Sequence, residues 1–189
     1  MTIQTYRQQI QAIIPTISCH APEGTILRKA GETVNAMVRG YVEDGALFLR
    51  QGDPVNAIAA FGYAEGWLEG GILLGLVSAS IASIPVTLGE TPDPMHLVRL
   101  EEKVYRYRRL LREGITAVEP APEEGSVLRG GCEEILAQAQ AALWRGTDQC
   151  SAGNLIDALC QFGYGHGWLD SGARTGLFRI IGRRELFTI

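Results

Sequence analysis

The stretch Phe61-Gly62-Tyr63-Ala64-Glu65-Gly66-Trp67-Leu68-Glu69-Gly70-Gly71 returns as Phe162-Gly163-Tyr164-Gly165-His166-Gly167-Trp168-Leu169-Asp170-Ser171-Gly172. The displacement is 101 residues, and it holds without a gap from about Tyr6/Tyr107 to about Val77/Phe178. A period of this kind means that one structural unit has been laid down twice. Two copies of one plan also separate the positions that both keep from those that drift.

Each copy reads as three helices. In the first copy, a helix over about Ile3 to Ile14 stops at Pro15, and a loop through Cys19, His20, Ala21 and Pro22 follows. The second helix spans about Glu23 to Gln51, where Ile26, Leu27, Ala30, Val34, Met37, Val38, Tyr41 and Leu49 trace a stripe at helical spacing. The third opens at Asp53-Pro54, because aspartate caps well and proline is preorganised for the first helical position. Asn154 is the corresponding cap in the second copy. This helix is expected to reach Ser83 and to end at Ile84-Pro85, since a residue before proline avoids helical geometry.

A linker over Pro85 to Pro94 separates the copies. The second copy then carries helices over about Met95 to Arg112, Ser126 to Thr147 and Asn154 to Arg184, with a loop through Pro120 and Pro122. Strand signals are weak throughout. The expected fold is all-α: two tandem three-helix bundle units, residues 1–88 and 95–189, packed as a pseudo-dimer.

Both copies keep Phe61/Phe162, Tyr63/Tyr164, Trp67/Trp168, Leu68/Leu169 and Leu76/Leu177, the anchors of a packed helix. They also keep Gly62/Gly163, Gly66/Gly167, Gly71/Gly172 and Gly75/Gly176. Glycine inside a helix costs about 1 kcal/mol relative to alanine. Its retention needs a reason. Either another helix backbone approaches closely there, as small residues permit, or the glycines open a notch beside Tyr63 and Trp67 for a flat ligand. Close packing is the preferred reading. In the second helix Arg28/Arg129 and Glu32/Glu133 stand four residues apart and can pair along the helix, or reach Glu69 and Asp170 on its neighbour.

Composition narrows the functional classes. The 189 residues are 46% hydrophobic and 20% charged, the profile of a folded globular chain, with a net charge of −4. That charge argues against a protein dominated by nucleic-acid electrostatics. Cys19, Cys132, Cys150 and Cys160 do not recur between copies and form no Cys-x-x-Cys spacing, so they read as free thiols in a reducing cytoplasm. The uncharged run Gly70 to Gly89 has the length of a membrane span. Its counterpart holds Arg174, Arg179, Arg183 and Arg184, so no membrane association is expected. Phosphate-loop, dinucleotide, zinc-protease and nucleophile-elbow motifs are absent from the sequence.

One basic run stands out: Arg99, Lys103, Arg106, Arg108, Arg109 and Arg112, interleaved with Tyr105 and Tyr107. Basic stretches with aromatic side chains can hold a phosphate backbone and stack bases. The first copy keeps only Tyr6 and Arg7 of this pattern.

The run Phe162-Gly163-Tyr164-Gly165-His166-Gly167-Trp168-Leu169-Asp170-Ser171-Gly172-Ala173-Arg174-Thr175-Gly176-Leu177-Phe178 resembles the signature of the archaeal domain of unknown function 357. The first copy departs from it at Glu65, Ile72 and Leu73. The resemblance implies a tandem fusion of small three-helix units in an archaeal cytoplasm, with no established activity. It also makes the second copy the better carrier of any ancestral function.

Tyr164, His166, Trp168, Asp170 and Arg174 are therefore the binding candidates. His166, Asp170 and Arg174 follow one another at steps of four along one helical face. The leading expectation is a non-enzymatic interaction or scaffold module with a protein partner or with self-association. The alternative is nucleotide or RNA binding through Arg106, Arg108, Arg109 and Arg112 with the His166/Arg174 face. A hydrolase or nuclease using His166 stands last. No catalytic residue, metal ligand or cofactor is assigned.

Overall fold

The computed structural model describes residues 1–80 and 87–188. The helices α1 (Ile3–Ile13), α2 (Ile26–Arg50) and α3 (Pro54–Leu73) form the first copy. The second copy repeats them as α4 (Leu97–Thr116), α5 (Val127–Ser151) and α6 (Leu155–Arg174). Thr25 and Ser126, one displacement apart, cap α2 and α5 by accepting from the N–H groups of Arg28 and Arg129. Asp53 caps α3 in the same way through the N–H of Asn56. Asn154 occupies the corresponding position but accepts no such bond. Its amide donates instead to Gln149 Oε1 at 2.8 Å.

The third helices are shorter than their apolar pattern suggests. They end at Leu73 and Arg174, not near Ser83 and Arg184. The stop is a glycine in left-handed geometry, Gly75 (φ +66°) or Gly176 (φ +78°). Leu76 N–H returns to Gly71 C=O and Leu177 N–H to Gly172 C=O, each at 3.0 Å, closing the last turn. Gly75 and Gly176 are thus helix terminators and not members of the interior glycine stripe. The expected stop at Ile84-Pro85 lies outside the described residues.

Two short strands, β1 (Val118–Pro120) and β2 (Phe178–Ile180), pair antiparallel where the sequence predicts loop and helix. Glu119 pairs with Arg179 in that ladder, and the corresponding Ser18 and Ser78 form an isolated bridge in the first copy. The ladder ties the end of each third helix to the loop before the second.

The two copies meet through α3 and α6. A Cβ on Gly66 would overlap the Tyr164 carbonyl oxygen, and one on Gly167 would overlap that of Tyr63. At Gly62 it would lie 2.5 Å from the Cys160 carbonyl oxygen. The packing reading of these glycines holds: they let two backbones cross in contact. Gly71 and Gly172 instead face side chains, Val34 and Phe178.

Both central helices are covered on several sides by the outer four, so every residue from Ile156 to Ala173 is buried. A helix buried all round shows no single apolar stripe. The buried apolar residues of both copies form one contiguous core. On α2 the core-facing row is Val34, Val38, Val42 and Ala46. Ile26 and Leu27, assigned to that stripe from sequence, are exposed, as are Val127 and Leu128 on α5. The Arg28–Glu32 and Arg129–Glu133 pairs form along their helices at 2.7 and 3.2 Å and do not reach Glu69 or Asp170. The four cysteines are free. No helix among the described residues is long and apolar enough to cross a membrane.

Candidate functional site

The crossing of α3 and α6 creates two junctions related by the repeat. Each joins the first and third helices of one copy to the second and third of the other. One hydrogen bond is kept in both: Tyr63 Oη donates to Asp170 Oδ2, and Tyr164 Oη donates to Glu69 Oε2. Around this shared bond the junctions differ.

The first junction is closed. Tyr6 on α1 donates its hydroxyl to Glu65 Oε2, and its ring packs edge-on against Phe61 at 5.9 Å. Arg145 on α5 donates to Gln161 Oε1 at 3.0 Å and lowers the pKa of Glu69. Burial nonetheless holds the carboxyls of Glu65 and Glu69 above the usual range, Glu65 at about 8. Asp157, at the edge, accepts from the N–H groups of Leu88 and Gly89.

The second junction is open. A cavity of about 340 Å³ lies between α2, α3, α4, α6 and the C-terminal segment. Its walls carry Tyr41 and Tyr63, whose rings stand 4.3 Å apart, with Tyr107 and Lys103 from α4 opposite. His166 and Asp170 on α6 complete the wall, and Leu186 and Thr188 reach the cavity from the chain end.

His166 is buried, and its Nε2 has no hydrogen-bond partner. Loss of water pushes its pKa down to about 4, so the ring is neutral at physiological pH. Tyr107 approaches it edge-on at 6.4 Å. Asp170 is 2% exposed, and its Oδ2 accepts from Tyr63 Oη, from Thr188 Oγ1 at 2.8 Å and from Thr188 N at 3.4 Å. Its Oδ1 has no partner. Burial raises its pKa.

Lys103 is 6% exposed, and its ammonium lies 5.3 Å from the centroid of the Tyr107 ring. Among the described residues no carboxylate stands within ion-pair distance of it. Burial, then the nearby Arg106 guanidinium, lowers its pKa.

The structure thus divides the sequence candidates. His166 and Asp170 both line the cavity and are buried, and no hydrogen bond joins them. Arg174 is exposed and donates to the Thr188 carbonyl at 2.7 Å, fastening the chain end over Asp170. Tyr164 belongs to the closed junction through Glu69. Trp168 is buried with its ring edge-on to Tyr164 at 6.3 Å.

The basic candidates are partly engaged with acids. Arg106 faces Glu102 at 3.4 Å, and Arg109 faces Glu113 at 4.0 Å. Arg112 is exposed and Arg108 half-buried. Among the described residues there is no cluster of three or more His, Cys, Asp or Glu side chains placed to hold a metal ion.

Sequence reasoning missed Tyr41, Asp44, Lys103 and Thr188. Tyr41 and Asp44 occupy repeat positions where the other copy has Ala142 and Arg145, and Lys103 precedes the repeat in its copy. Drift between copies is the signal at Tyr41 and Asp44, and Lys103 stands within the basic run of α4.

Fold and junctions together define the class: a duplicated all-helical protein whose two three-helix units clasp through their third helices and leave one junction open. The chain belongs to the family described as protein of unknown function (DUF357), whose model matches residues 5–77 and again 106–178. Those windows are displaced by the same 101 residues as the repeat. No curated protein and no solved structure matches the chain.

Proposed function

We propose that this protein is a non-enzymatic binding module that holds a small organic molecule in the open junction. The duplicated helices act as its scaffold. One observation carries the reading: a cavity of about 340 Å³ is walled by Tyr41, Tyr63, Tyr107 and His166 together with Asp44, Lys103 and Asp170. An apolar cleft with a few converging polar groups is the ordinary form of a small-molecule site.

The test uses anilinonaphthalene sulfonate as a fluorescent probe of the cavity. Saturable, stoichiometric binding is expected in the native protein and should disappear in Ala60→Phe, which places a ring in the cavity. Absence of binding, or binding unchanged in that variant, overturns the proposal.

A protein partner or self-association is a second reading, favoured by the exposed Ile26, Leu27, Val127 and Leu128 at matching helix starts. It predicts concentration-dependent sedimentation that Val127→Asp removes. Nucleic-acid binding through Arg106, Arg108, Arg109 and Arg112 has less support, since two of these arginines already face acids on their own helix.

A further inference from the structure

We infer that the open junction takes a small organic cation, a guanidinium or amidinium compound with a flat apolar body, in the place that Arg145 and Gln161 occupy in the closed junction. This inference rests on the small-molecule reading above and specifies its chemistry.

The repeat locates the space. Displaced by 101 residues, Arg145 becomes Asp44, Gln161 becomes Ala60 and Ala142 becomes Tyr41. In the closed junction Arg145 donates to Gln161 Oε1 at 3.0 Å, and its positive charge lowers the pKa of Glu69. In the open junction Asp44, Ala60 and Tyr41 all line the cavity. A short carboxylate and a methyl group stand there in place of a guanidinium and an amide. The cavity thus lies where the closed junction sets a guanidinium beside its acid. The acid itself is kept, as Asp170 in place of Glu69.

The exchange reverses the charge at that place. Asp44 is exposed and brings a carboxylate to the wall where the other copy brings a cation. Burial first, then the carboxylates of Asp170 and Asp44, raise the pKa of the Tyr41 hydroxyl, so both negative charges reach this side of the cavity. Asp170 is covered by Tyr63 and Thr188, so it contributes field, and Asp44 contributes contact. The aromatic rings do the rest. A ring face attracts a cation, more strongly where water is excluded. Tyr107 already holds the Lys103 ammonium 5.3 Å from its centroid, and the Tyr41 and Tyr63 rings offer further faces.

The other polar groups of the wall leave this preference in place. Lys103 stands on α4, across the cavity from Asp44 on α2, and the carboxylates of Asp53 and Glu102 act on it there. His166 adds no positive charge, because burial holds its imidazole neutral. Asn56 donates its amide to Asp53 Oδ2 at 2.5 Å. Among the described residues no Lys, Arg or His stands within ion-pair distance of Asp44. An entering cation therefore finds at Asp44 a carboxylate that is not already shared with a cation of the chain.

Calorimetric titration of the native protein with three probes of one shape decides the matter. Benzamidine carries a planar amidinium on a ring, benzamide is its neutral counterpart and benzoate its anionic one. Benzamidine should bind about tenfold or more tighter than either, the size of one charge-assisted hydrogen bond. It should also displace anilinonaphthalene sulfonate, whose apolar rings report the cavity whatever charge it prefers. Asp44→Asn, a change at an exposed position, should bring benzamidine to the level of benzamide. Asp44→Arg should abolish its binding by restoring the guanidinium of the closed junction. Benzamide or benzoate binding as tightly as benzamidine overturns the inference while the cavity reading stands. So does benzamidine that leaves the dye in place, or that binds Asp44→Asn as well as the native protein. If none of the three binds although the dye does, the inference fails likewise. Failure of the dye as well overturns both. The native titrations need no variant to fold.

Discussion

The closed and open junctions are built from corresponding helices of the two copies, yet tyrosine hydroxyls bridge to both glutamates of one and a cavity of about 340 Å³ lies in the other. They share the tyrosine–carboxylate bond across the crossing, Tyr164 to Glu69 and Tyr63 to Asp170. They differ at a handful of side chains: Tyr6 reaches Glu65 in one, whereas Tyr107 meets His166 only ring to ring in the other. Arg145 partly offsets the effect of burial on Glu69 on the closed side, and its counterpart on the open side is Asp44. What both copies keep is the clasp. What they do not keep is the chemistry of the spaces beside it. Duplication thus frees one junction to change while the other retains the packing.

The largest effect should come from the part that the junctions share. Gly66→Ala and Gly167→Ala each force a methyl group into a backbone carbonyl of the opposite helix, which a rigid helix pair can relieve only by separating. Overpacking of this kind costs about 1–3 kcal/mol in a side-chain core, and more where backbone must move. Both variants should lose at least about 3 kcal/mol in urea unfolding, by similar amounts, because the clash is the same from either side. A large loss in one and little in the other would show that the copies do not cross symmetrically.

The next effect separates the junctions by pH. Glu65 rises from 4.5 to about 8 on folding, so between those values the unfolded chain releases a proton that the folded chain keeps. Stability contributed by this position is full below pH 4.5 and falls until about pH 8. His166 falls from 6.5 to about 4, so its contribution is full above pH 6.5 and is lost as pH drops towards 4.

Unfolding midpoints across this range should therefore show opposite difference profiles for the two variants. Glu65→Gln gains on the native protein as pH rises, and His166→Gln gains as pH falls. Asp170, also raised by burial, adds a slope common to the native protein and to both variants, while Glu69, whose charge raises the Glu65 pKa, reinforces the Glu65 profile. Profiles of the same sign would mean that the two positions do not share one kind of buried environment.

The sequence announces the clasp clearly and the cavity hardly at all, for a physical reason. Packing constraints act on both copies, so Gly66/Gly167, Phe61/Phe162 and Trp67/Trp168 repeat and can be read. The helix stops at Gly75 and Gly176 repeat as well, but a kept glycine looks alike in a helix interior and just beyond its end. Their left-handed φ and the returning bonds to Gly71 and Gly172 distinguish them. His166 and Asp170 were visible as a row on one helix. Their cavity required Tyr41 and Asp44 from the other copy and Lys103 from α4, a meeting that no spacing along the chain encodes. The pairing of β1 with β2 was hidden similarly, because three-residue strands carry too little pattern to register.

The smallest effects test the comparison most finely, because they use caps at helix starts away from the crossing of α3 and α6. Thr25 and Ser126 make the same bond in both copies, to Arg28 N at 3.1 Å and to Arg129 N at 3.2 Å. Alanine at either should cost about 1 kcal/mol, the usual worth of such a cap, and the two costs should agree. Asp53 and Asn154 occupy matching positions as well, but only Asp53 accepts from the helix, at 3.0 Å from Asn56 N, and it also holds Arg99. Asp53→Ala should therefore cost about 1–2 kcal/mol. Asn154→Ala removes an exposed side-chain bond to Gln149 and should cost less than about 0.5 kcal/mol. Chemical unfolding of the four variants gives one matched pair and one unmatched pair. Equal costs at Asp53 and Asn154 would mean that Asn154 caps its helix in solution and that the copies are more alike at this turn than their side chains show.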